Sequence, residues 1–231
     1  MPAELNWTSR PTGASSVVLV LPGGQVKNTR AARWHDPSAL RMVPVALAAR
    51  AAGRGAFAVA RLRYAVRGWN AAAASPLVDA RAAMDEIEER YPGLPVMVVG
   101  HSMGGRVALA LAADRRVRGV LALAPWIERS DRITPSAGVR LLLVHGLKDP
   151  ITSAALSRST VARLQAQGAH ASFVGLRREG HAMLLRAAVW DQVTTGFLRA
   201  SIEATSAAPL VLDGPPGVGA RAWQEQIVET V

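Results

Sequence analysis

Short apolar runs at residues 17–21, 56–62, 96–99, 120–123, 141–144 and 171–176 alternate along this chain with longer segments whose apolar residues return at helical spacing. A strand that is apolar throughout must be covered on both faces, and parallel neighbours need crossovers long enough to hold a helix. The alternation therefore predicts an α/β chain with a central, mostly parallel sheet and helices on both faces. Helices are predicted over residues 37–52, 75–90, 103–113, 153–167 and 183–201, with Gly53 and Gly168 as stops and Ser75-Pro76 as a start. Reactive groups in such a sheet belong at the carboxyl ends of its strands.

A chain of 231 residues, half of them apolar, can bury one substantial core, so one domain is expected. Its body is read as residues 1–204, with no separate cap domain, because the connection before the 141–144 run is too short to hold one. Residues 205–231 read as a linker rich in small residues and Pro-Gly, then a short tail helix carrying Trp223, Ile227 and Val231 at four-residue spacing.

The composition narrows the chemistry. There is no cysteine, so disulfides, thiolate metal sites and cysteine nucleophiles are excluded. The first residues lack a basic stretch followed by an apolar run, and no later stretch stays apolar for the ~20 residues that span a bilayer. The expectation is a soluble, cytoplasmic protein without a membrane partner. The net charge of +10 comes almost entirely from arginines scattered among alanines, with Lys27 and Lys148 the only lysines, so no nucleic-acid partner is expected. No H-E-x-x-H occurs, and no G-x-G-x-x-G follows a strand. The glycine-rich stretch 214–221 has Ala220 and Arg221 where a phosphate-binding loop needs Lys and then Ser or Thr. No cofactor and no metal are expected.

The strongest local signal is Gly100-His101-Ser102-Met103-Gly104, set directly after one apolar run and before a helical segment. A G-x-S-x-G at a sharp strand-to-helix turn presents the serine hydroxyl to solvent, with glycines on either side allowing the chain to pass closely. The helix N-terminus places free N–H groups beside any developing oxyanion. A serine hydroxyl needs a base, and the base needs an orienting group. Of the five histidines, His181 lies in Glu179-Gly180-His181, after the last strand and before the last helix; His101 adjoins the serine and reads as structural support. Asp149, in the loop after the 141–144 run, is the best orienting acid, with Asp131 as the rival. Asp79, Asp85 and Asp191 fall within predicted helices.

Serine, acid and histidine in this order, each in a loop at the expected end of a strand, give a chain that resembles the α/β-hydrolase family over roughly residues 15 to 201. The resemblance implies the α/β-hydrolase fold and a two-step reaction through an acyl-enzyme, with Ser102 as nucleophile, His181 as general base and Asp149 as orienting acid. It further implies an oxyanion site built from the Met103 N–H and a donor in Pro22-Gly23-Gly24-Gln25, either Gly24 or Gln25. Many family members carry His-Gly where this chain has Pro22-Gly23. Candidate pocket residues are Gln25, Trp69, Trp126 and Met183, each of which could equally belong to the core. The expected reaction is cleavage of a small carboxylic ester. A thioesterase or acyltransferase with the same residues remains an alternative, as does a non-catalytic ligand-binding member of the fold. Nothing in the sequence sets the oligomeric state.

Overall fold

The computed structural model of the chain describes residues 1–183, 187–203, 211–212, 221–222 and 227–230. The central sheet has eight strands: β1 (Glu4–Ser9), β2 (Ser16–Leu21), β3 (Phe57–Arg63), β4 (Val96–His101), β5 (Val117–Leu123), β6 (Arg140–Gly146), β7 (His170–Leu176) and β10 (Ile227–Thr230). Their order across the sheet is β1-β3-β2-β4-β5-β6-β7-β10. β1 runs antiparallel to β3, and the other pairings are parallel. Two further short strands, β8 (Val211–Leu212) and β9 (Arg221–Ala222), form a separate antiparallel pair.

The helices are α1 (Pro37–Gly53), α2 (Ser75–Arg90), α3 (Met103–Leu111), α4 (Ala154–Ala166) and α5 (Ala187–Glu203). Side chains alternate along the strands, so each strand feeds two cores. Val17, Leu19 and Leu21 of β2 and Val96 and Val98 of β4 pack with α2, α3 and α4, whereas Val18, Val20, Met97 and Val99 pack with α1 and α5. This is why the strand runs read as apolar throughout rather than alternating. Between β5 and β6 there is no helix or strand, and among the described residues no cap covers the sheet.

Two strands depart from the sequence-based expectations. β1 was not expected: only its inner face is covered, by packing of Leu5 and Trp7, and half-buried edge strands carry a weak apolar signal. The tail was expected to be helical around Ile227, but Ile227–Thr230 is a strand aligned in parallel with Phe173–Leu176. Ile227, Val228 and Thr230 are β-branched and suit a pleated edge, and β7 otherwise offers its backbone groups unpaired. Trp223 and Val231, like most of the expected linker, lie outside the described residues. No described helix is long and apolar enough to cross a membrane.

The chain moves from β2 to β3 on one side, then returns to place β4 on the other side of β2. The helices that follow β2 and β4, α1 and α3, consequently lie on opposite faces of the sheet. Such a reversal opens a crevice at the carboxyl ends of the two strands.

Candidate active site

Ser102 sits between the end of β4 and the start of α3 with φ 56° and ψ −116°, a backbone conformation strained for a residue with a Cβ. Its surroundings hold it there. The Ser102 N–H donates to the Leu123 carbonyl at 3.0 Å, and its own carbonyl accepts from Trp126 N–H at 2.9 Å and Arg106 N–H at 3.2 Å. The glycines of the motif are required by close packing: a methyl group on Gly100 would meet the Gly104 carbonyl, and one on Gly104 would meet the Leu21 and Pro22 carbonyls. The turn thus leaves the serine side chain as the one group free to point out of the sheet.

His181 comes from the loop after β7, and its Nε2 lies 3.0 Å from Ser102 Oγ. On the other side of the ring, His181 Nδ1 lies 2.8 Å from Asp149 Oδ2. With the carboxylate ionised, Nδ1 carries the proton and donates, leaving Nε2 to accept from the serine hydroxyl. The three residues named from the sequence are therefore brought within hydrogen-bond reach of one another.

Asp149 follows β6 and its carboxylate is buried. Oδ1 accepts from the N–H groups of Ile151 at 2.7 Å and Thr152 at 3.0 Å, and Oδ2 accepts from Thr152 Oγ1 at 2.7 Å. Burial by itself raises this carboxyl; the bonds from Thr152, His181 and Ile151 outweigh it and hold Asp149 below its ordinary value. The Asp-Pro-Ile-Thr order is an Asx-type turn, in which an aspartate binds backbone N–H groups two and three residues on, and this signal could have singled out Thr152.

The remaining candidates are committed elsewhere. Asp131 Oδ1 accepts from Arg106 at 2.6 Å, and its Oδ2 accepts from Glu128 N–H at 2.9 Å. Asp79 accepts from Ala65 N–H at 2.8 Å, with burial raising its carboxyl against that bond and the charge of Arg63. His101 Nε2 donates to the His181 carbonyl at 2.9 Å. Burial, and then the charges of His181 and Arg41, lower His101 to about 3, so it stays neutral. The Lys148 N–H donates to the Glu179 carbonyl at 3.0 Å, joining the loops that carry Asp149 and His181.

The Gly24 and Met103 N–H groups have no acceptor among the described residues. The Gln25 N–H, by contrast, donates to the Arg67 carbonyl at 2.9 Å and is thereby occupied. The Pro22-Gly23-Gly24 turn passes directly beside Ser102: a methyl on Gly23 would sit 3.3 Å from Ser102 Cβ.

A cleft of about 410 Å³ opens over Ser102 and His181 at the crevice between β2 and β4. Gln25 lines it, but Trp69, Trp126 and Met183 do not. The two tryptophans instead bracket the Arg106 guanidinium, 4.1 and 4.6 Å from their ring centroids, with the rings themselves 6.0 Å apart. Arg106 is nearly buried and ion-paired to Asp131 and Glu128, so a cation fixed on α3 draws both rings to itself. Met183 is buried in the core shared with α1 and α5. The cleft walls that sequence reasoning missed come from α1, the loop before it and the end of β3, where Arg33, Arg41, Arg63 and Arg67 stand. Among the described residues there is no cluster of three His, Cys, Asp or Glu side chains that could hold a metal ion.

Comparisons with known proteins bear on the fold. Residues 53–140 match the family described as serine aminopeptidase, S33. The chain is 32% identical over 84 residues to monoglyceride lipase of Homo sapiens, a match covering 33% of this chain and 28% of that protein. Among solved structures it is similar to an α/β-hydrolase enzyme from a Medee basin deep-sea metagenome, with a TM-score of 0.67 and 19% identity, covering 87% of this chain and 93% of that one. It is also similar to a serine hydrolase without a lid from Xanthomonas campestris, with a TM-score of 0.61 and 18% identity, covering 88% and 90%.

Proposed function

We propose that this chain, which carries the fold of the α/β-hydrolases it is similar to, is a serine hydrolase cleaving small carboxylic esters through an acyl-enzyme. One observation carries the reading: Ser102 Oγ, on a strained turn, lies 3.0 Å from a ring nitrogen of His181 whose other nitrogen lies 2.8 Å from a buried carboxylate. The names of the lipase and of the lidless serine hydrolase are consistent with ester chemistry.

In this scheme Ser102 Oγ attacks the carbonyl carbon as its proton passes to His181 Nε2, and Asp149 stabilises the imidazolium. The oxyanion takes hydrogen bonds from the N–H groups of Met103 and Gly24, which have no other acceptor among the described residues. His181 returns the proton to the departing alkoxide, and the alcohol leaves. Water then attacks the acyl-enzyme, gives its proton to His181, and the carboxylic acid is released as Ser102 regains its hydrogen. Because no cap covers the cleft among the described residues, short acyl chains are the expected substrates.

The test is a fluorophosphonate probe together with a series of p-nitrophenyl esters. Labelling of the wild type but not of Ser102→Ala, with turnover lowered by several orders of magnitude in the variant and activity highest on short chains, is expected. Wild type that neither reacts with the probe nor turns over any ester would overturn the proposal.

A further inference from the structure

The wall of the cleft opposite Ser102 is basic, and the hydrolytic scheme makes no use of it. Four arginines, Arg33, Arg41, Arg63 and Arg67, line it against one carboxylate, Asp36. Two of the four are neutralised: Arg63 pairs with Glu4 at 2.9 Å and Arg67 with Asp36 at 2.7 Å. The second oxygen of Asp36 accepts the Arg33 backbone N–H at 2.9 Å, so both oxygens of this carboxylate are already engaged. The guanidinium groups of exposed Arg33 and half-buried Arg41 have no ion pair or hydrogen bond among the described residues. Two positive charges without a counter-charge among the described residues therefore border the cleft.

Two further features point the same way. Arg41 stands on α1 close enough to His101, the neighbour of Ser102, for its charge to act on that imidazole. The N-terminal turn of α1, Pro37 to Ala39, also borders the cleft and adds the positive end of a 17-residue helix. A half-buried guanidinium without a counter-charge is costly, and its planar fork matches a carboxylate or phosphate.

We propose that the substrate is an ester or thioester bearing a carboxylate or phosphate, bound by Arg41 and Arg33 while its reacting carbonyl lies over Ser102. The carbonyl's position rests on the hydrolytic reading above, but the anion site stands on the arginines alone.

Two p-nitrophenyl esters matched in length, of glutaric acid with its free carboxylate and of pentanoic acid, test this. The wild-type kcat/KM ratio is expected to favour the glutarate ester roughly tenfold, the scale of one charge-assisted contact. The ratio should fall toward one in Arg41→Ala, fall part of the way in Arg33→Ala, be partly kept in Arg41→Lys, and shrink as salt is raised. A wild-type ratio at or below one, or a preference untouched by Arg41→Ala, would overturn the proposal. Calorimetric titration of wild type and Arg41→Ala with glutarate and with glycerol phosphate reads the site without turnover and tells which anion it takes. Saturable binding of either, weakened by Arg41→Ala, supports the anion site even if neither ester is cleaved, in which case the hydrolytic reading alone fails. Cleavage of both esters at equal efficiency with no anion binding leaves the hydrolytic reading and removes this one.

Discussion

His145 Nε2 lies 3.2 Å from Asp149 Oδ2, the same oxygen that His181 Nδ1 engages at 2.8 Å. His145 is fully buried, and burial lowers it against the pull of Asp149, so it serves as a neutral donor. Its Nδ1 is 2.9 Å from Ser157 Oγ, which in this tautomer donates to it. Thr152 Oγ1 joins the group at 2.7 Å from Oδ2 and 3.2 Å from His145 Nε2. The carboxylate that faces the proposed base is thus oriented from behind by side chains that never reach the cleft.

Thr152 should therefore act as a positioning residue. Thr152→Val removes the hydroxyl and keeps the shape, and is expected to lower kcat about tenfold on a short ester, with Thr152→Ser restoring most of it. Losing a donor also raises Asp149, so the acid limb of the kcat profile should move to higher pH in the Val variant. Equal losses in Val and Ser, with an unmoved profile, would assign Thr152 to packing alone.

Arg106 predicts a stability effect. It is nearly buried, stacked between Trp69 and Trp126, and bonded to Asp131 at 2.6 Å and Glu128 at 3.0 Å. Arg106→Ala leaves Asp131, itself largely buried, without its cation and both rings without their partner. Urea unfolding should show a loss of about 3 kcal/mol, in the range seen when one partner of a buried pair is removed. A loss below about 1 kcal/mol would mean that solvent already screens the pair.

Acid should destabilise the fold in a definite window. His101 is lowered from 6.5 to about 3 by burial and then by the neighbouring charges, and His145 is lowered chiefly by burial. Between these values the unfolded chain binds protons that the folded chain refuses, so stability falls as pH drops from about 6.5 toward 3. Asp149, held below 3.8, adds a further loss once pH falls beneath that value. Asp79 and Asp191, raised by burial, act in the opposite sense just above 3.8, so the histidine contribution is read as a difference between proteins. The Tm of wild type should drop more steeply between pH 6.5 and 4 than that of His101→Asn; parallel curves would show that His101 takes up protons in the folded state.

What could be read from the sequence follows from how local the cause is. The strands feeding two cores are apolar at most positions on both faces, so their number and parallel direction were evident, as was the turn that sets up Ser102, which glycine spacing encodes within five residues. Asp149 and His181 could be named because each closes a loop at a strand end in a fixed order. β1 was missed because it buries at most one face, and β10 was misread because four residues of a tail carry too little pattern to separate strand from helix. The pocket was misread for a different reason. Trp69 and Trp126 are large and apolar, but their place is decided by Arg106, a contact between segments distant in sequence that no local pattern reports. The arginines of the cleft looked like part of a scattered basic composition, and only the reversal of chain direction at β2 gathers them over the serine.

The hydrogen bond from His101 to the backbone carbonyl of His181 has one more consequence. The side chain preceding the proposed nucleophile grips the peptide of the proposed base itself, across 80 positions of sequence. Loop 177–183 cannot swing away without breaking that link, so the distance from hydroxyl to imidazole is preset before any ligand arrives. On the hydrolytic reading, no closing motion is needed to assemble the reacting groups, and what a ligand must do is enter the cleft and fit within it.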